Sequence, residues 1–159
     1  MAGSPVVFAR AGVGVAVKSG APKPDISTPD AFRRAMLDAK SIGYSRSGSG
    51  QIAARALQRI GIADQVKDKV KLIEGIPVAE IVAKGEVEIG MQQINAIVPV
   101  AGADYAGPLP GDLQEYLSFS VGLMTVSKEQ TVARDFMRFM AAPENTEHLR
   151  KSGMEPAVR

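Results

Sequence analysis

The sequence predicts an α/β fold in which short parallel strands alternate with helices. Between Ser27 and Met91, segments with helical periodicity alternate with short apolar segments in the order α-β-α-β-α-β. Strands separated by helical crossovers pair in parallel, and their connections are right-handed. We therefore expect a mostly parallel sheet covered by helices on both faces, which is a three-layer α/β/α arrangement.

The chain ahead of this alternation predicts strand followed by loop. Val6–Val17 is rich in Val and Ala and is typical of one or two strands. Gly12 and Gly14 lie inside this segment, where glycine permits bending or close backbone approach. Residues 18–25 contain one Gly and two Pro, so they predict a loop.

Two helices are predicted by their end signals and their apolar faces. Ser27 or Thr28 is expected to cap the first helix, with Pro29 in its first turn. Its apolar positions have helical spacing and are Phe32, Ala35, Met36 and Ala39. The second helix follows a Ser/Gly-rich loop, and its apolar face comprises Ile52, Ala53, Ala56, Leu57 and Ile60.

Short strands and a short helix complete the predicted alternation. The strands are expected at Ser41–Ser45, Val70–Glu74 and Val87–Met91. Pro77–Lys84 has helical character and is ended by Gly85.

The C-terminal third predicts one long strand and two helices. Ile97–Pro110 is predicted as a connection rich in Gly and Pro and as extended chain, and Tyr116–Val126 has the pattern of a long strand. Thr131–Ala142 predicts an amphipathic helix, and a further helix begins after Pro143 and ends near Gly153. The residues of the first of these helices expected to face inward are Val132, Phe136, Phe139 and Met140.

The composition excludes several classes of function. The 159-residue chain has no Cys and one His, so thiolate sites, thiol nucleophiles and His-based metal clusters are not expected. The 19 basic and 17 acidic residues are interspersed and Trp is absent, which argues against a nucleic-acid surface. His148 lies far along the chain from every Ser/Gly loop, so no Ser/His/Asp set is expected. Residues 1–10 lack the basic region of a signal peptide. We expect a non-catalytic protein without metal or cofactor.

The segment "SRSGSGQIA" (residues 45–53) has three interpretations. Gly48-x-Gly50-x-x-Ala53 is the spacing of a dinucleotide-binding loop, and Glu74 closes the next strand, where a ribose-binding acid would lie. Three residues separate the strand from Gly48, however, which argues against a dinucleotide. The second interpretation is a helix-end cradle for a small oxyanion or carboxylate, assisted by the serine hydroxyls and Arg46. In the third, the serines only cap the helix.

Three segments resemble the molybdate-binding group of the type II periplasmic solute-binding proteins. The continuous stretch of residues 41–97, from "SIGYSRSGSGQIAARAL" to "GEVEIGMQQINAI", looks like the second lobe of that family. "RAGVGVAVKSGAPKPDISTPDAFRRAML" resembles its crossing strand and lobe-two entry, and residues 133–157 resemble its C-terminal end. The resemblance covers residues 6–157. It implies a periplasmic protein with two α/β lobes that delivers solute to the membrane subunit of an ABC importer.

The resemblance also implies a division of the chain. Residues 1–26 would form crossing strands and a linker, residues 27–115 a lobe-two-like ligand-binding domain, and residues 116–159 the return strand and C-terminal helices of an incomplete lobe one. The segment that opens lobe one in such proteins has no counterpart in this sequence. The C-terminal part would then expose an apolar face and strand edges, so we expect a homodimer or a domain-swapped assembly.

Ligand-binding residues are implied in three segments, which are the loop at residues 45–50, the helix start at residues 76–78 and residues 92–95. The residues expected to bind are Ser45, Arg46, Ser47, Gly48, Ser49, Gly50, Val78, Gln92, Gln93 and Asn95. Molybdate-binding members typically carry Tyr where this chain has "GMQQ" (residues 90–93), and an amide pair both donates and accepts hydrogen bonds. The expected ligand is therefore a small anionic or polar solute, either a molybdate-like oxyanion or a small organic acid. A Rossmann-like nucleotide-dependent enzyme and an effector-sensing regulatory module are the alternative functions.

Overall fold

The computed structural model describes residues 5–157, which fall into two compact units. The larger unit comprises Gly12–Tyr116, and the smaller unit combines the N-terminal residues up to Ala11 with the chain from Leu117 onward. The strands are β1 (Val6–Lys18), β2 (Ile42–Ser45), β3 (Val70–Ile73), β4 (Ile89–Gln93), β5 (Ala103–Pro108), β6 (Tyr116–Val121) and β7 (Glu155–Pro156). The helices are α1 (Pro29–Asp38), α2 (Gly48–Arg59), α3 (Ala63–Val66), α4 (Val78–Ala83), α5 (Ile94–Ile97), α6 (Gln130–Met140) and α7 (Thr146–Lys151).

The larger unit is built on a sheet with the strand order β3-β2-β4-β1-β5. Strand β2 runs parallel to both β3 and β4, with Ser45 opposite Ile73 and Gly43 opposite Gly90. These three strands are separated by helical segments, which allow them to run in the same direction, as predicted. Strand β1 runs antiparallel to both β4 and β5. The predicted α/β class is therefore confirmed, and the sheet is mixed, with its parallel pairing confined to β2, β3 and β4.

Helices α1 and α2 bury the faces that their sequence periodicity predicts. Thr28 caps α1, since its Oγ1 accepts a hydrogen bond from the backbone N–H of Ala31 at 3.1 Å. Phe32 and Met36 on the same helix are fully buried. The buried positions of α2 include Ile52, Ala53, Ala56 and Leu57. Burial of these apolar side chains holds both helices in the unit, because isolated helices of this length are marginal in water.

The smaller unit pairs the beginning of β1 with the end of the chain. Ala9 lies opposite Pro156 and Arg10 opposite Glu155 in an antiparallel arrangement with β7. Arg10 donates two hydrogen bonds to Glu155 Oε2, from Nε at 2.8 Å and from Nη2 at 2.6 Å. The rings of Phe8 and Phe119 pack with their centroids 6.4 Å apart in a tilted arrangement.

The C-terminal predictions need two corrections. The strand expected to reach Val126 ends at Val121, because a turn follows in which Ser127 N donates to Met124 O at 3.1 Å. Three of the four side chains of α6 expected to face inward are exposed, at 63 % for Val132, 55 % for Phe136 and 60 % for Phe139, whereas Met140 is half-buried. No described element of the smaller unit covers this face of α6, which is why its apolar periodicity does not lead to burial.

None of the helices formed by residues 5–157 is both long enough and apolar enough to cross a membrane.

Candidate functional site

The parallel strands of the larger unit end along one edge of the sheet. Strands β2, β3 and β4 finish at Ser45, Ile73 and Gln93. Loops lead from β2 into α2 and from β3 into α4, whereas α5 follows β4 directly. We call this the carboxyl edge. In α/β sheets, ligands bind in the crevice outside the carboxyl ends of the strands. The fold brings all three predicted segments to this edge, although they lie up to about 50 residues apart in the sequence.

Ser45 and Ser47 form the centre of the first segment. Their hydroxyl oxygens lie 2.6 Å apart, and Ser47 N donates to Ser45 Oγ at 3.3 Å. Ser47 occupies the N-cap position of α2 but makes no side-chain capping hydrogen bond. The interpretation that the serines only cap the helix therefore does not describe Ser47, whose hydroxyl is exposed together with that residue. The first amides of α2 lack intrahelical partners and carry a partial positive charge.

Ser49 and the glycines of this loop differ in accessibility. Gly48 is exposed, whereas Ser49 and Gly50 are buried. A Cβ on Gly50 would lie 1.6 Å from the carbonyl oxygen of Ser45. The absence of a side chain at Gly50 thus lets α2 begin in contact with the end of β2, which holds the loop of Arg46 and Ser47 tightly between them.

Arg46 forms an ion pair across the carboxyl edge. Its Nε donates to Glu74 Oε1 at 2.6 Å, and both side chains are about two-thirds exposed, at 69 % and 67 %. Glu74 follows β3, so the pair joins the loops after two adjacent strands. The sequence drew attention to Glu74 only through the dinucleotide interpretation, and its pairing with Arg46 was not expected.

The second segment (residues 76–78) leads into the buried start of α4, and the third (residues 92–95) contributes side-chain amides. Gln92 Oε1 accepts a hydrogen bond from Ala79 N at 3.0 Å, so the carboxamide of Gln92 caps α4 and its Nε2 keeps its donors. Val78 is 1 % exposed, because it packs in the core with Ala79 and Val82. Only its backbone is therefore relevant to a ligand. Gln93 ends β4 and is the residue before α5.

Asn95 holds an unsatisfied acceptor. Its side-chain Oδ1 is buried and has no hydrogen-bond partner among the residues that the structure describes. Buried polar atoms in folded proteins are nearly always paired, so an orphaned acceptor next to a candidate site indicates a place for a donor. Asn95 was among the residues predicted from the sequence.

Tyr105 lies near these residues and was missed by the sequence analysis. The position that a Cβ would take on Gly14 is 2.6 Å from Tyr105 Cε2 and 2.9 Å from Ile94 Cγ1, and Gly14 pairs with Gln92 in the sheet. Burial, with a smaller effect of the nearby Tyr116, raises the pKa of Tyr105 to about 12. Its hydroxyl is therefore a protonated donor at neutral pH. Gly14 inside a strand was the available signal, since such a glycine marks a close approach.

A separate cleft lies at the other end of β4. It has a volume of about 400 Å³, and its lining includes Asp25, Arg34, Asp38 and Glu88 together with Ile89, the first residue of β4. Hydrogen bonds from the backbone and side chain of Ser27 lower the pKa of Asp25. This cleft contains none of the residues predicted to bind ligand. Among the described residues, no group of three or more His, Cys, Asp or Glu side chains has the arrangement of a metal site.

Comparison with known proteins gives one family and several relatives. Residues 1–155 match the profile of a family described as bacterial extracellular solute-binding protein. An aconitate isomerase from Pseudomonas sp. is 33 % identical over 145 residues, which are 91 % of this chain and 55 % of that protein. The chain thus spans about half the length of this curated relative.

Solved structures share the fold at low sequence identity. The substrate-binding domain of a putative molybdenum ABC transporter from Clostridium difficile superposes with a TM-score of 0.77 at 14 % identity, over 98 % of this chain and 67 % of that chain. PEB3 bound to L-phospholactate gives a TM-score of 0.70 at 13 % identity, over 95 % of this chain and 68 % of that chain. A structure of PEB3 from Campylobacter jejuni gives a TM-score of 0.65 at 17 % identity, over 95 % of this chain and 66 % of that chain.

Proposed function

The chain belongs to the bacterial extracellular solute-binding proteins, and on that basis we propose that it binds a small organic acid without converting it. The proposed site is the carboxyl edge, with Ser45, Arg46, Ser47, Gln92 and Asn95 as the groups in contact with the solute. Its function would be to hold the solute for an ABC importer in the periplasm.

One observation carries the proposal of an anionic solute. The hydroxyls of Ser45 and Ser47, the guanidinium of Arg46 and the first amides of α2 are concentrated within a few residues of the end of β2. Each of these groups donates hydrogen bonds, and two of them also bring positive charge or partial charge. A carboxylate accepts such bonds with both oxygens and is favoured by the charge.

Two further observations favour an organic acid over a molybdate-like oxyanion. A fully deprotonated oxyanion offers only acceptors, so it cannot satisfy the buried Oδ1 of Asn95, whereas an acid that carries a hydroxyl, such as citrate, can. Aconitate has no hydroxyl, and only the second observation favours it. The relative at 33 % identity is named for aconitate, which is a tricarboxylate. Molybdate and related oxyanions remain the second ligand class to be tested.

Ligand screening by thermal unfolding tests the proposal. We expect citrate, cis-aconitate or trans-aconitate at a hundredfold excess over its Kd to stabilise the protein by about 2.7 kcal/mol, which corresponds to a Tm increase of about 5 °C or more. Molybdate, tungstate, sulfate and phosphate should give smaller shifts. The variant S45A/S47A should lose the response, and D112N, which lies at the opposite end of α2, should keep it. A response to molybdate alone would contradict the choice of an organic acid.

A second candidate function is isomerisation of an unsaturated tricarboxylate, which is favoured by the name and the 33 % identity of the curated relative. Incubation with cis-aconitate or trans-aconitate, followed by proton NMR, distinguishes the two functions. Binding without formation of the other isomer supports the non-catalytic proposal. If wild type forms the other isomer and S45A/S47A does not, isomerisation replaces the non-catalytic proposal.

A further inference from the structure

Glu74 forms an ion pair with Arg46, whose positive charge is the one expected to attract the proposed solute. Arg46 is the residue after Ser45 and Glu74 is the residue after Ile73, and Ser45 and Ile73 lie opposite each other at the ends of β2 and β3. The ion pair therefore lies one residue beyond the last paired residues of β2 and β3, at the crevice outside the sheet. Arg46 directs its Nε at Glu74 Oε1, at 2.6 Å, beside the hydroxyls of Ser45 and Ser47.

The pair has the properties of a contact that can be exchanged. Both side chains are about two-thirds exposed, and an ion pair in such surroundings contributes little to stability, because water screens the two charges. Gly75, which follows Glu74, has a φ of 79° and no neighbouring atom within 4 Å of the position of a Cβ, so Glu74 lies in an open turn. An acid whose several carboxylates are held at once by Arg46, two hydroxyls and helix amides has more partners than Glu74 has.

We propose that Glu74 is an internal counterion of Arg46 that the solute carboxylate displaces. This inference rests on the proposed function of the carboxyl edge and adds a specificity determinant to it. Glu74 competes with every anionic solute for Arg46, so that only an acid that also engages the serines and the α2 amides replaces it efficiently. A simple monocarboxylate such as acetate makes too few of these contacts.

Calorimetric titration of the full chain with trans-aconitate, citrate and acetate tests this inference. E74Q keeps the shape of the side chain and removes its charge, so we expect citrate and trans-aconitate to bind about fivefold more tightly, and acetate binding to gain at least as much. R46Q should bind the tricarboxylates about tenfold more weakly, because a charge-assisted hydrogen bond is lost. In R46Q/E74Q the gain in affinity seen with E74Q alone should vanish, because the guanidinium that Glu74 neutralises is absent.

A matched control is available in the same unit. Arg59 and Asp112 form an ion pair of the same length, 2.6 Å, at the far end of α2 from Ser47. D112N should therefore leave all affinities unchanged. Circular dichroism of each variant reports whether it is folded.

The outcomes separate this inference from the proposed function. If wild type binds the tricarboxylates and E74Q binds them no more tightly, or the gain persists in R46Q/E74Q, the counterion role is overturned while the proposed function stands. If neither wild type nor E74Q binds any carboxylate, the proposed function fails and this inference fails with it.

Discussion

At the scale of single residues, polar groups of the carboxyl edge are positioned by contacts that leave part of their bonding capacity open. Gln92 uses Oε1 to cap α4 and retains its amide donors. Ser45 and Ser47 bond to one another through hydroxyls that still have further capacity. The position of both serines depends on Gly50, which contacts the Ser45 carbonyl directly.

Replacement of Gly50 by alanine should destabilise the larger unit. The new Cβ would lie 1.6 Å from Ser45 O, which is backbone, so α2 or the end of β2 must move. We expect a loss of about 3 kcal/mol in the free energy of unfolding, measured by urea denaturation. The control Q51A, at an exposed position of α2, should stay within about 0.5 kcal/mol of wild type. Equal stability of G50A and wild type would show that the contact has no structural role.

The raised pKa of Tyr105 makes the stability of the folded protein depend on pH in the alkaline range. Burial raises its pKa from the model-compound value of 10.0 to about 12, so the folded state favours the protonated phenol. The resulting contribution to stability is complete below pH 10 and is lost as the pH rises from 10 to about 12. Urea denaturation between pH 9 and 11, compared with Y105F, measures it. The decline should be shallower in Y105F, and identical slopes would assign it to other groups.

At the scale of helices and strands, local patterns predicted most of the larger unit but not its side-chain pairs. Periodicity identified the buried faces of α1 and α2 and the three parallel strands. It gave no signal for the Gln92 bond to Ala79 or the Arg46 bond to Glu74, because these partners are 13 and 28 residues apart. Strand β5 was predicted only as extended chain within a connection, because its pairing with β1 is made by the backbone and its Gly and Pro residues weaken the strand pattern.

Helix α1 provides the test at this scale. Phe32 is fully buried, so F32A removes a large apolar side chain and leaves a cavity. We expect the free energy of unfolding to fall by about 3–5 kcal/mol in chemical denaturation. R34A, at an exposed position on the same helix, should change it by less than about 0.5 kcal/mol. A small effect of F32A would place the core of the unit elsewhere.

At the scale of the whole molecule, the apolar face of α6 is exposed, and no described element of its unit covers it. Val132, Phe136 and Phe139 are each more than half exposed, and exposed apolar groups of this kind mark interaction surfaces. The family relation is established at this scale by a match over residues 1–155, and the chain covers 55 % of its curated relative. We propose that a second copy of the chain covers this face.

Sedimentation velocity at several concentrations tests this assembly. We expect wild type to form a dimer, and F136S/F139S to sediment as a monomer, because the substitution removes the apolar contact. R134A, which changes an exposed polar residue of the same helix, should behave as wild type. A wild-type monomer at every concentration would contradict the proposal.

Strand β1 also sets an order of events during synthesis. Its residues from Gly12 onward pair within the larger unit, which is complete once Tyr116 has left the ribosome. Ala9 and Arg10, by contrast, must wait for Pro156 and Glu155, which are made after the larger unit is complete. Because domains form as their residues emerge, the larger unit gains its structure while the first residues of β1 are still unpaired. The nascent chain thus carries an open strand terminus until β7 has been made, and this is the stage at which a chaperone has the most to protect.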